Sequence, residues 1–183
     1  MRNFAEPVRA RGPVLVWEGP RNAEAIVVLD PTGAAKHGEL PATWRPLAGR
    51  RQVVWCRLPA VHGPFDELAD VLSEIAGQVG PAWVVTSGPV AREMIGRVSE
   101  LGDLVRAVLL VDPEMTVLSD IEGLADTIGV HIEVVARSRP GLRDRVEPPL
   151  PLGHPDVVSP VARIVLASEP NGGSKDGVHD TPA

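Results

Sequence analysis

The sequence predicts an α/β domain built on a mostly parallel sheet with flanking helices. Three observations carry that prediction. Short β-branched apolar runs recur along the chain, amphipathic helical patterns lie between the later runs, and 183 residues suffice for one such unit. Strands alternating with helices are the mark of βαβ units, in which a crossover helix brings the chain back to start a parallel strand.

The elements follow in order. Residues 14–17 (VLVW) form a short apolar run between Gly12-Pro13 and Gly19-Pro20. Residues 25–29 (AIVVL) are continuous and β-branched, as expected of a strand buried on both faces. Further strands are expected at residues 53–56, 83–85, 105–111 and 132–136. Phe65, Leu68, Ala69, Leu72, Ile75, Ala76 and Val79 recur at spacings of three and four, which places them on one helix face, and Gly80-Pro81 ends that helix. Val90, Ala91, Met94, Ile95, Val98 and Leu101 mark a second helix over residues 89–101. Ser119 and Glu122, three residues apart, read as the capping box of a third. Ser159-Pro160 reads as the start of the last, a cap followed by proline at the first helical position. Residues 137–151 are dense in Pro and Arg and read as a long loop. The expected organisation is a flexible arm over residues 1–12, the domain over residues 13–168, and a disordered tail over residues 169–183 that lacks apolar periodicity.

Composition narrows the function classes. The net charge of -6 gives no electrostatic reason to expect nucleic acid as a partner. The single cysteine, Cys56, rules out an intrachain disulfide, and a reducing, cytoplasmic compartment is the simplest expectation. No stretch approaches the roughly 20 apolar residues of a membrane span. The N-terminus has arginines but no apolar run after them, so it does not read as a secretory signal.

Ligands of an open parallel sheet bind beyond the carboxyl ends of its strands. The loop after Leu29 holds Asp30, Thr32, Gly33, His37 and Gly38. Its glycine spacing is that of a phosphate loop, but Glu39-Leu40 stand where the lysine and hydroxyl would be, so no nucleotide is expected. Asp30, His37 and Glu39 read as solvated polar groups rather than as metal ligands, and no metal or cofactor is expected.

Element order and several local phrases together resemble the α/β-hydrolase family over residues 14–167. The phrases are VVLDPTG, the Trp-bearing segment TWRPLA, the strand-to-helix turn WVVTSGPVA, VRAVLLVDPE, and Leu152-Gly153-His154 ahead of a closing helix. The resemblance implies a three-layer sandwich with a nucleophile elbow G-x-S-x-G at that turn. In the best register Thr86 and Val90 take the glycine positions and Gly88 the nucleophile position, where it has no side chain to attack with. Sliding by one makes Ser87 the nucleophile between Val85 and Pro89, both bulky, and Ser87 also reads as a cap of the helix that opens at Gly88-Pro89. On the oxyanion side the resemblance implies a His-Gly pair. Here Asp30-Pro31 stand there, a carboxylate that would repel a developing negative charge and a residue without an N–H, although Thr32 or Gly33 could still donate. The acid expected after the strand at residues 132–136 is replaced by Arg137-Ser138-Arg139. Asp144 lies further on, and Asp112 follows the preceding strand and also reads as a turn residue before Pro113. His154 sits where the family's general base lies, and also reads as an ordinary loop residue.

Two functions from different classes follow. One is a hydrolase-like domain that has lost catalysis and binds a small-molecule or acyl ligand, or a protein, at a crevice formed by Asp30, Thr32, Gly33 and Gly88. The other is a small serine esterase or thioesterase in which Ser87 attacks, His154 takes its proton and Asp112 orients the imidazole. A doubly wound domain unrelated to the family remains a third reading. Only 20 residues separate Val111 from Ile132, which leaves no room there for a lid domain and implies a shallow, open site.

Overall fold

The computed structural model describes residues 15–31, 38–58, 65–124, 129–138 and 148–168. The expected arm, the expected tail, Thr32, Gly33, His37, Arg139 and Asp144 lie outside the described residues. Among the described residues six strands form one sheet: β1 (Leu15–Glu18), β2 (Ala25–Asp30), β3 (Gln52–Arg57), β4 (Ala82–Ser87), β5 (Val105–Val111) and β6 (His131–Ala136). Their order is β1-β3-β2-β4-β5-β6. The edge strand β1 runs antiparallel to β3, and every other pairing is parallel. Each expected strand is present, four of them one to three residues longer than the apolar run that signals them.

Among the described residues five α-helices accompany the sheet: α1 (Arg45–Ala48), α2 (Phe65–Val79), α3 (Gly88–Arg97), α4 (Met115–Leu124) and α5 (Pro155–Ala167). Side chains alternate across a strand, so the sheet has two apolar faces. Ile26, Val28, Val53, Trp55, Val85 and Leu109 pack with Trp44, Leu47 and the α5 valines. Val27, Leu29, Val54, Val84, Val108 and Leu110 pack with α2, α3 and Val117 of α4. All six residues of β2 and of β4 are buried, as expected for central strands covered on both faces.

Two helix starts differ from the sequence expectation. α4 begins at Met115, not Ser119; Ser119 lies inside it and its Oγ–H donates back to the Met115 carbonyl. Starting at Met115 places Val117, which is fully buried, on the inner face. α5 begins at Pro155 and carries Pro160 in its interior. An interior proline costs about 3 kcal/mol. Val157 and Val158 are both buried by the earlier start, and each buried valine stabilises by about 1.5–3 kcal/mol. The two valines outweigh the proline. Among the described residues no helix is long and apolar enough to cross a membrane.

The connection after β2 leads to β3 on one side, and the connection after β4 leads to β5 on the other. The adjacent strands β2 and β4 therefore flank the topological switch point, and the crevice beyond their carboxyl ends is where a ligand of such a sheet is held. Asp30 ends β2 and Ser87 ends β4.

Candidate functional site at the carboxyl edge of the sheet

Gly88 opens α3 with φ of 56°, inside the left-handed region that side chains disfavour. It is buried, and a Cβ built on it would stand 3.3 Å from Cγ of Pro149. The space above the turn is thus taken by Pro149. Ser87, just before it, is extended and occupies the N-cap position of α3, but its side chain makes no cap hydrogen bond. The expected cap bond is absent. Ser87 is only 2% exposed, which leaves little of the residue open to the substrate a nucleophile must reach.

Asp112 follows β5 with φ of 45°. Its carboxylate accepts from the backbone N–H and the hydroxyl of Ser138, and from the N–H of Leu150 at 2.7 Å. Its own N–H donates to the Ala136 carbonyl at 3.0 Å. The carboxylate is therefore a tie between the end of β6 and the segment that carries Pro149.

His154 is the N-cap of α5, and its Nδ1 accepts from the Asp156 N–H at 3.2 Å. With Nδ1 accepting, a neutral ring carries its proton on Nε2. That tautomer is opposite to the one a triad base needs, which takes a proton at Nε2 while Nδ1–H donates to the acid. Among the described residues no hydrogen bond joins any two of Ser87, Asp112 and His154.

The segment from Pro149 to His154 is pinned at a second place. The Trp44 indole N–H donates to the Leu152 carbonyl at 2.9 Å, and the Thr43 hydroxyl donates to the Gly153 carbonyl at 2.8 Å. A Cβ on Gly153 would approach Pro41 Cβ to 3.2 Å, so the backbone lies close against that turn. Trp44 meets Trp55 edge to face, with ring centroids 5.7 Å apart. Trp55 in turn donates its indole N–H to the Asp30 carboxylate at 3.0 Å. Asp30 is 1% exposed and faces this indole. Glu39, which reads from the sequence as a solvated polar group, pairs with Arg45 at 2.6 Å on the surface. Cys56 ends up buried, and burial pushes its thiol up to about 12, so it is inert as a nucleophile near neutral pH.

Pro149, Leu150 and Trp55 contribute to the site without belonging to any sequence motif. A usable signal existed for Trp55 alone: on β3 it alternates with buried aliphatics, and an indole in such a core needs an acceptor.

No family model and no curated protein matches the chain. Solved structures do match. One is a protein of unknown function, Atu2452 from Agrobacterium tumefaciens str. C58, which is similar at 14% identity over 82% of this chain and 94% of that one, with a TM-score of 0.52. At that identity the likeness concerns the fold: an α/β domain with a six-stranded, mostly parallel sheet and flanking helices.

Proposed function

We propose that the chain is an α/β-hydrolase-like three-layer domain that has given up acyl transfer and acts by binding a small molecule or a protein. The observation that carries this reading is the β4–α3 turn. A strand-to-helix turn in the middle of the sheet has left-handed backbone at its tip, the geometry of a nucleophile elbow, yet the tip is Gly88 and Pro149 lies over it.

The partners that acyl transfer would require have other work. Asp112 ties β6 to Leu150, His154 caps α5, and Asp30 accepts from Trp55 where an oxyanion donor would be wanted. The alternative, an esterase or thioesterase using Ser87, His154 and Asp112, would need His154 and Asp112 to leave their present partners together and the nearly buried Ser87 to meet a substrate.

Turnover separates the two. Hydrolysis of p-nitrophenyl acetate, p-nitrophenyl butyrate and a short acyl thioester is measured for the wild-type chain and for Ser87→Ala. Both proteins are expected to match the buffer rate. Turnover that disappears with Ser87→Ala would overturn the reading.

A further inference from the structure

The two edges of the sheet are built differently. β1 has four residues and is followed by Gly19-Pro20. Short edge strands bounded by such residues resist pairing with other chains. β6 has six residues with no glycine, proline or lysine among them. Five of its six residues are half-buried and the sixth is exposed, and among the described residues no strand pairs with its outer side. In a parallel ladder alternate residues of an edge strand turn their N–H and C=O groups outward, so β6 is an open template.

The side chains on that template complement themselves. Residues 130–134 read Val-His-Ile-Glu-Val. His131 and Glu133 share one face and meet at 3.3 Å, with side chains 65% and 43% exposed. Ile132 and Val134 share the other face and pack at the margin of the core. When a second copy pairs antiparallel about a two-fold axis through Ile132, His131 faces the partner's Glu133 and Glu133 faces the partner's His131. On the other face Ile132 meets the partner's Ile132. An imidazole opposite a carboxylate, able to share a hydrogen bond, and apolar side chains opposite one another fall into directly opposed cross-strand positions. Shifting that register by one residue puts His131 and Glu133 opposite apolar partners.

We propose that β6 is a homodimer interface: a second copy of this chain adds to its edge antiparallel, with the two-fold axis at Ile132, and continues the sheet across both protomers. This two-fold contact is isologous and closes on itself, so it yields a dimer rather than a filament. It stands independently of the hydrolase-like reading.

The test is read by oligomeric state and by register. Sedimentation velocity of the full chain from about 1 to 200 μM is expected to show a monomer giving way to a dimer; a monomer throughout would overturn the proposal. Under mild oxidation Ile132→Cys is expected to cross-link to its own copy almost completely. Val134→Cys is expected to give less than about a tenth of that product, because four residues of strand, roughly 13 Å, would separate the two thiols, far beyond the reach of a disulfide. Equal cross-linking of both variants would refute the register. Glu133→Lys is expected to weaken the dimer at least tenfold, and His131→Glu added to it to restore the dimer. A double variant as weak as Glu133→Lys alone would refute the pairing of positions 131 and 133.

Discussion

Two turns at the carboxyl edge of the sheet have nearly the same backbone and opposite uses for it. The β4–α3 turn carries Gly88 with φ of 56°, and the turn after β5 carries Asp112 with φ of 45°. Left-handed backbone costs an L side chain about 1–2 kcal/mol, with Asp and Asn at the lenient end. At Gly88 the cost is avoided by having no side chain, and the vacated space takes Pro149. At Asp112 the cost is accepted, because that conformation aims a carboxylate at three donors on Ser138 and Leu150. The turns are mechanically linked. Asp112 holds the segment whose proline covers Gly88.

Substitutions at these turns should separate their roles by size. Asp112→Ala is expected to have the largest effect, a loss of roughly 3–4 kcal/mol in urea unfolding, since it strips a charged acceptor from three donors. Asp112→Asn keeps one acceptor and the tolerance for left-handed backbone, and is expected to lose about half as much. Gly88→Ala is expected to cost roughly 1–2 kcal/mol from backbone strain, plus a contact term against Pro149. Adding Pro149→Ala should relieve the contact term and leave the strain, a coupling that a double-mutant cycle measures directly.

His154→Ala is expected to cost about 0.5–1 kcal/mol, the worth of a helix cap. Combined with Asp112→Ala its effect should add to within about 0.5 kcal/mol. Stronger coupling would mean that the two residues share a bond, as a triad would require. A signal that is silent at neutral pH comes from Cys56, on the opposite face of the sheet. Its thiol ionises near 12 in the folded chain against 9.0 for the free group. The unfolded state therefore releases the proton first, and stability should be intact below pH 9 and fall as the pH rises from there toward 12. At pH 8 its labelling by a thiol reagent should track unfolding, faster in Asp112→Ala than in Gly88→Ala.

Local periodicity made most of the fold legible. Phe65 to Val79 has one unbroken apolar stripe and forms the helix its spacing requires. The β-branched runs of β2 and β5 could be nothing shorter than buried strands. The helix starts misled where two local signals competed. Ser159-Pro160 is a good cap on its own, and only the burial of Val157 and Val158 selects Pro155. The site was legible in its positions and not in its partners. Gly88, Asp112 and His154 carry a local signal in the sequence, and each stands at an element boundary. What each one touches depends on Pro149, Leu150 and Ser138, which are 61, 38 and 26 residues away in sequence from Gly88, Asp112 and Asp112 respectively. Contacts of that range are set by sheet order, which periodicity does not encode.

The most direct measurement of whether acyl chemistry survives is covalent. The wild-type chain is incubated with a fluorophosphonate and its intact mass is taken, with Ser87→Ala alongside. An unmodified mass is expected for both proteins. One phosphonyl group per wild-type chain, absent from Ser87→Ala, would mean that the nearly buried Ser87 beside Gly88 is an active nucleophile and would contradict the proposed loss of catalysis.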